Sequence, residues 1–143
     1  MDTTDERAPI DVCDECGFRW DEYDDETAVN AVRLGGAFYR GILDGVDLEL
    51  ANTRPAPDTW SILEYVDHVR SAFAIWRGRP EVCLGRADAS VPAYRGFDPE
   101  PTRFDDVEAT IAAMEAEGSQ FFDLYRHLEP AEWERTSTAR HGV

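Results

Sequence analysis

Phe104, Val107, Ile111, Met114, Gly118, Phe121, Tyr125 and Leu128 recur at alternating steps of three and four residues. That spacing lines one side of an α-helix for about seven turns, a period no β-strand can use. A helix with a single apolar side gains most of its stability by laying that side against other helices. Two further stretches offer matching sides. Ala28, Val32, Gly35, Tyr39, Ile42 and Val46 form one stripe, and Ile62, Val66, Val69, Phe73 and Trp76 form another.

Punctuation between the stripes fixes the expected helices at about 26–46, 61–79 and 103–128. Two prolines in ANTRPAPDT stop the first run, because proline lacks the N–H a helix interior needs. Ser61 and Glu64 then form a capping box, each side chain satisfying a backbone N–H that the first turn leaves unbonded. Trp60, just before the cap, is placed to pack on Tyr65 as a hydrophobic staple. Gly35 and Gly36 weaken the first helix by about 1 kcal/mol each relative to Ala, a cost that close approach of a neighbouring helix offsets.

No run alternates apolar and polar residues with β-branched enrichment. The expected class is all-α, an antiparallel helical bundle, and bundles of this kind commonly close with four helices. Here the fourth helix is expected to be absent: after Leu128 come only EPAEWE, enough for one turn, and RTSTARHGV. With 143 residues the chain suits one bundle domain over 26–143, preceded by an acidic segment over 1–25.

Charge narrows the partners. Acidic residues number 30 against 14 basic ones, all arginine, for a net charge of -16. Nucleic acid and anionic membranes are poor partners for such a surface. No stretch has the apolar length of a membrane span or the order of a secretion signal, so a cytoplasmic protein is expected. Three cysteines, an odd count, argue against a disulfide framework.

The residues able to do chemistry are few. His68 lies at the edge of the second apolar stripe and shares that flank with Glu64, one turn back. An imidazole so placed can enter a groove between helices and bind Zn, Ni or Fe through a neutral nitrogen. The plainer reading is a partly buried histidine bonded to Glu64 or to a backbone carbonyl. Cys13 and Cys16, in CDECGF, are half of a zinc-knuckle signature. A structural zinc needs a second pair, and only Cys83 remains, so a small turn that docks Phe18 and Trp20 is the plainer reading. His127, at the end of the third helix, suits the negative end of the helix dipole, and His141 falls in the tail. Arg70, Arg77 and Arg79, beyond His68, are a candidate cluster for attracting an anionic thiol. No nucleophile elbow or phosphate-binding glycine loop is present.

WSILEYVDHV after a proline-rich loop, together with a long helix ending in LEPAEWERT, resembles the DinB-like superfamily of four-helix bundles. The N-terminal CDECGF resembles its actinobacterial members. The resemblance covers roughly residues 12–136. It implies a divalent ion held by three histidines: one from the second helix, which His68 matches, and two from an H-x-x-x-H pair on the fourth, which has no counterpart here. Glu64, first a cap residue, would then also orient the His68 ring through a hydrogen bond. It also implies kinship with mycothiol-dependent maleylpyruvate isomerases and thiol S-transferases, in which the metal activates a low-molecular-weight thiol. A different expectation stands beside it. A bundle without its fourth helix leaves an apolar groove open, which predicts a binding partner or a homodimer.

Overall fold

The computed structural model describes Val12, Gly17, Arg19 and residues 24–86 and 98–135, with backbone alone at Asp25. The order is α1 (Asp25–Leu43), α2 (Leu48–Ala51), α3 (Ile62–Cys83), α4 (Val107–Arg126) and α5 (Pro130–Trp133). The class is all-α, and among the described residues there is no strand, only the isolated bridges Val12–Arg19 and Ala56–Thr59.

Each long helix begins at a side chain that satisfies its first turn. Asp24 accepts from the Thr27 N–H at 2.7 Å and Asp106 from that of Ala109 at 2.6 Å. Ser61 and Glu64 complete the expected capping box, and Trp60 meets Tyr65 edge-on with centroids 5.3 Å apart. The ends depart from expectation for local reasons. The first helix stops at Leu43, short of residue 46, where Gly45 takes a φ of 74°. The third starts at Val107, once Asp106 has capped it. The second runs on past residue 79, through Pro80, to Cys83. Pro80 has no N–H to give the Trp76 carbonyl four residues back. The Tyr125 hydroxyl donates to that oxygen instead, at 3.0 Å, so the acceptor is satisfied where the helix continues.

α4 is the centre, with α1 and α3 packed on it. Residues ascending α4 meet α1 in descending order: Glu115 faces Gly36 and Gly118 faces Val32, while Arg40 reaches Glu108. That pair is antiparallel, as expected. On α3 the order ascends with α4: Glu64 holds the Thr102 N–H, Phe73 lies on Gly118, and Trp76 is reached by Tyr125. These two helices run in the same direction. The end of α3 and the start of α4 therefore lie at opposite ends of the pair, about 30 Å apart at 1.5 Å per residue.

Leu43, Ala51, Leu63, Val66, Ile111 and Met114 form the core, with Tyr39, Ile62, Val69, Phe73, Phe104 and Val107 against it. Gly118 sits where three helices meet; a Cβ there would lie 3.2 Å from Phe73 and 3.3 Å from Val32. Gly36 is covered by Glu115, the close approach expected of the glycine pair. Three stripe positions are corrected, the first being Ala28, which is exposed. Ile42 and Trp76 are exposed, and Leu43 and Leu63 take the buried places. The apolar runs on α1 and α3 are wider than one stripe, so the helices could settle rotated from the inferred faces.

Candidate functional site

The first turn of α3 is built around Glu64. Its carboxylate accepts from Arg54 at 2.8 and 2.5 Å, from the Ser61 N–H at 2.8 Å and from the Thr102 N–H at 3.0 Å. The Arg54 and Glu64 side chains are only 8% and 6% exposed. Arg54 also donates to the carbonyls of Asp98 and Pro99, at 2.8 and 3.0 Å. The guanidinium is the main reason the Glu64 carboxyl is held down to about 2. Beside it, Asn52 works as a second fastener. Its amide donates to the Phe104 carbonyl and its oxygen accepts from the Phe104 N–H, both at 2.9 Å. The loop before α3 and the loop before α4 are thus tied to one carboxylate and one amide. All of this lies at the shared N-terminal end of the two parallel helices.

His68 follows one turn later and is half-buried. Val66, two residues back, is fully buried in the core. Two residues along a helix is a rotation of about 200°, so His68 lies on the face of α3 turned away from α4. Its ring rests on Trp60, centroids 4.4 Å apart and planes tilted by 46°. Ile75 shares that face and is 5% exposed, yet is separate from the main core. α3 therefore has a second partly covered face, where a half-buried imidazole is braced by an indole.

The remaining candidates do not converge on His68. His127 caps the opposite end of α4, where its Nδ1 is 2.7 Å from the Asp123 carbonyl oxygen. Cys83 is a half-buried thiol at the end of α3. Cys13, Cys16 and His141 lie outside the described residues, as do Phe18 and Trp20. Val12 and Arg19, which flank the cysteine pair, meet in a bridge, and Gly17 takes a φ of 72°. Among the described residues no three His, Cys, Asp or Glu side chains stand close enough to hold a metal ion. Among the described residues the donor set around His68 is one imidazole. Of the three arginines beyond it, Arg70 pairs with Asp67 at 2.7 Å, Arg77 with Glu117 at 3.2 Å, and Arg79 lies 4.4 Å over the Trp76 ring. Two of the three are already neutralised by carboxylates.

An open groove of about 290 Å³ runs between α3 and the start of α4, lined by Asp67, Phe104, Asp105, Asp106 and Thr110 among others. Its carboxylates have local roles: Asp106 caps α4 and Asp67 holds Arg70. Arg54 and Asn52 were not legible as site-shaping residues. Their partners lie 10 and 52 positions away, beyond any local spacing rule.

With the capping box, the parallel pair and the position of His68 in view, the comparison with known families is decisive. The DinB superfamily matches residues 36–143, well over half of the chain. The chain belongs to the DinB superfamily. Neither a curated protein nor a solved structure matches it. No described helix of this DinB domain is long and apolar enough to cross a membrane.

Proposed function

We propose that this DinB-superfamily bundle is related to the metal- and thiol-dependent transferases and isomerases, with His68 as a protein ligand for a divalent ion, Zn, Ni or Fe. The observation that carries the reading is the contrast within one helical turn. Glu64 is held by Arg54, Ser61 and Thr102, and His68 lies on the face of α3 that α4 does not use. Stacking on Trp60 limits the orientations of the ring. An imidazole held in place gives up less entropy when a nitrogen binds a metal. One imidazole holds an ion weakly, and tight binding takes three or four donors. Further donors therefore come from residues other than those described or from a bound low-molecular-weight thiol.

Metal content measured on the purified chain tests this. A stoichiometric divalent ion that His68→Ala removes supports the reading. An ion that survives His68→Ala, or none after equilibration with Zn, Ni and Fe, overturns it.

A second reading, association in place of catalysis, is favoured by one observation. Leu34 and Phe38 of α1 are 65% and 63% exposed.

A further inference from the structure

Gly36 marks the side of α1 that touches α4, since Glu115 lies directly over it. Leu34 and Phe38 stand two residues to either side of Gly36, each about 200° around the helix. They point away from α4, so a helix that packs beside α4 in the bundle leaves them uncovered. Asn30, Ala37 and Gly41 complete this outer face, and Ile42, 45% exposed, borders it.

Three properties of the face identify what it is shaped to meet. The first is charge. In a chain of net charge -16, the face from Asn30 to Gly41 carries no carboxylate. The two arginines of this stretch turn inward, Arg33 over the Phe122 ring and Arg40 onto Glu108 and Glu115. A basic partner would be drawn to the acidic faces and gains nothing here. A second copy of the same acidic chain is repelled elsewhere and can approach here.

The second property is Gly41. Gly36 has Glu115 over it, and Gly35 has Met114 at 3.6 Å from a built Cβ, but beside Gly41 nothing lies within 4 Å. Glycine is among the poorest helix formers, and no contact among the described residues accounts for this one.

The third is shape. Leu34 and Phe38 form a ridge, and Ala37 and Gly41 form the shallow row beside it. A two-fold axis between two antiparallel copies of α1 sets Leu34 over Gly41 of the second copy and Phe38 against its Ala37. Each large residue then meets a small one, on both sides at once, as an isologous contact requires. The antiparallel helix dipoles also oppose favourably.

We propose that the outer face of α1 is a self-association surface through which two copies pair as an antiparallel α1–α1 dimer. This deepens the association reading and is independent of metal binding at His68. Leu34, Phe38 and Ile42 expose on the order of 300–400 Å² of apolar surface, the size of a typical functional patch. A single helix pair of this area falls below the usual range for stable complexes, so the dimer is weak and reversible, with a Kd in the micromolar range.

Sedimentation velocity on the full chain between about 1 and 100 μM tests the proposal. The wild type is expected to shift from monomer to dimer across that range. Leu34→Glu and Gly41→Lys alone should each raise Kd by about 100-fold or more. The double variant should regain association to within about tenfold of wild type, because glutamate of one copy then faces lysine of the other. Circular dichroism serves as the folding control, since both positions are exposed. A wild type that stays monomeric at the highest concentration overturns association itself. A dimer indifferent to Leu34→Glu overturns this surface while leaving association standing. Two disruptive single variants without rescue in the double overturn the antiparallel register.

Discussion

Glu64 and His68 sit one turn apart on the same flank of α3, and the fold treats them oppositely. Glu64 has four donor contacts from three segments and a carboxyl held near 2. His68 has an indole to lean on and a face that no part of the α4 packing uses. A carboxylate that joins three segments contributes to stability, and the proposed function gives the imidazole one turn later the separate task of binding. The contrast predicts that substitutions at the two sites separate folding from ligand binding.

The largest expected effect is at Glu64. Glu64→Ala removes one partner of a buried ion pair and the reciprocal half of the capping box. It should cost about 3 kcal/mol or more in urea unfolding. The acid side of the same residue gives a second handle. Its folded-state carboxyl lies near 2 against an ordinary value of 4.5, so its contribution is fully present above pH 4.5. The contribution is lost as pH falls from 4.5 toward 2, and amounts to about 3 kcal/mol at about 1.4 kcal/mol per unit. Glu64→Gln should flatten the stability profile in that window while changing its slope little above it. If the profile of Glu64→Gln parallels that of the wild type, the buried pair is not what fastens this end.

Next in size is Asn52→Ala. It leaves both backbone groups of Phe104 without their partner and should cost about 2 kcal/mol by the same measurement. A loss as large as that at Glu64 would make the amide, not the ion pair, the principal fastener. Gly118→Ala is expected to cost about 1 kcal/mol. Its Cβ would press on Phe73 and Val32 from two packed helices, and that strain outweighs the gain in helix propensity. A stabilised Gly118→Ala would show that the junction of α1, α3 and α4 is looser than described. At the small end, His68→Ala removes a half-buried ring stacked on Trp60 and should cost about 1 kcal/mol, well under the loss at Glu64. A loss comparable with that at Glu64 would erase the contrast.

What the sequence revealed followed its physical range. The Ser61–Glu64 box and the Trp60–Tyr65 staple were legible because every partner lies within five residues, where helix geometry fixes the distances. The α4 stripe was legible for the same reason, and Ile111, Met114 and Gly118 are buried as expected. The antiparallel setting of α1 on α4 was expected, but the shared direction of α3 and α4 was not legible, since a three-four repeat reads the same for either direction. The run of α3 past residue 79 was not legible, because the donor that replaces the missing Pro80 N–H, Tyr125, comes from another helix. His68 could be picked out as a residue that local rules do not use. Its orientation away from α4 needed the true core face, which Leu63 shifted from the inferred stripe.

Metal stoichiometry, measured side by side on wild type, His68→Ala and Glu64→Gln at pH 7, most directly tests the separation of a fastening residue from a binding residue. The expected result is a divalent ion bound by wild type and by folded Glu64→Gln, and lost from a folded His68→Ala. Retention of the ion by His68→Ala, or its loss from Glu64→Gln with the fold intact, would contradict the account.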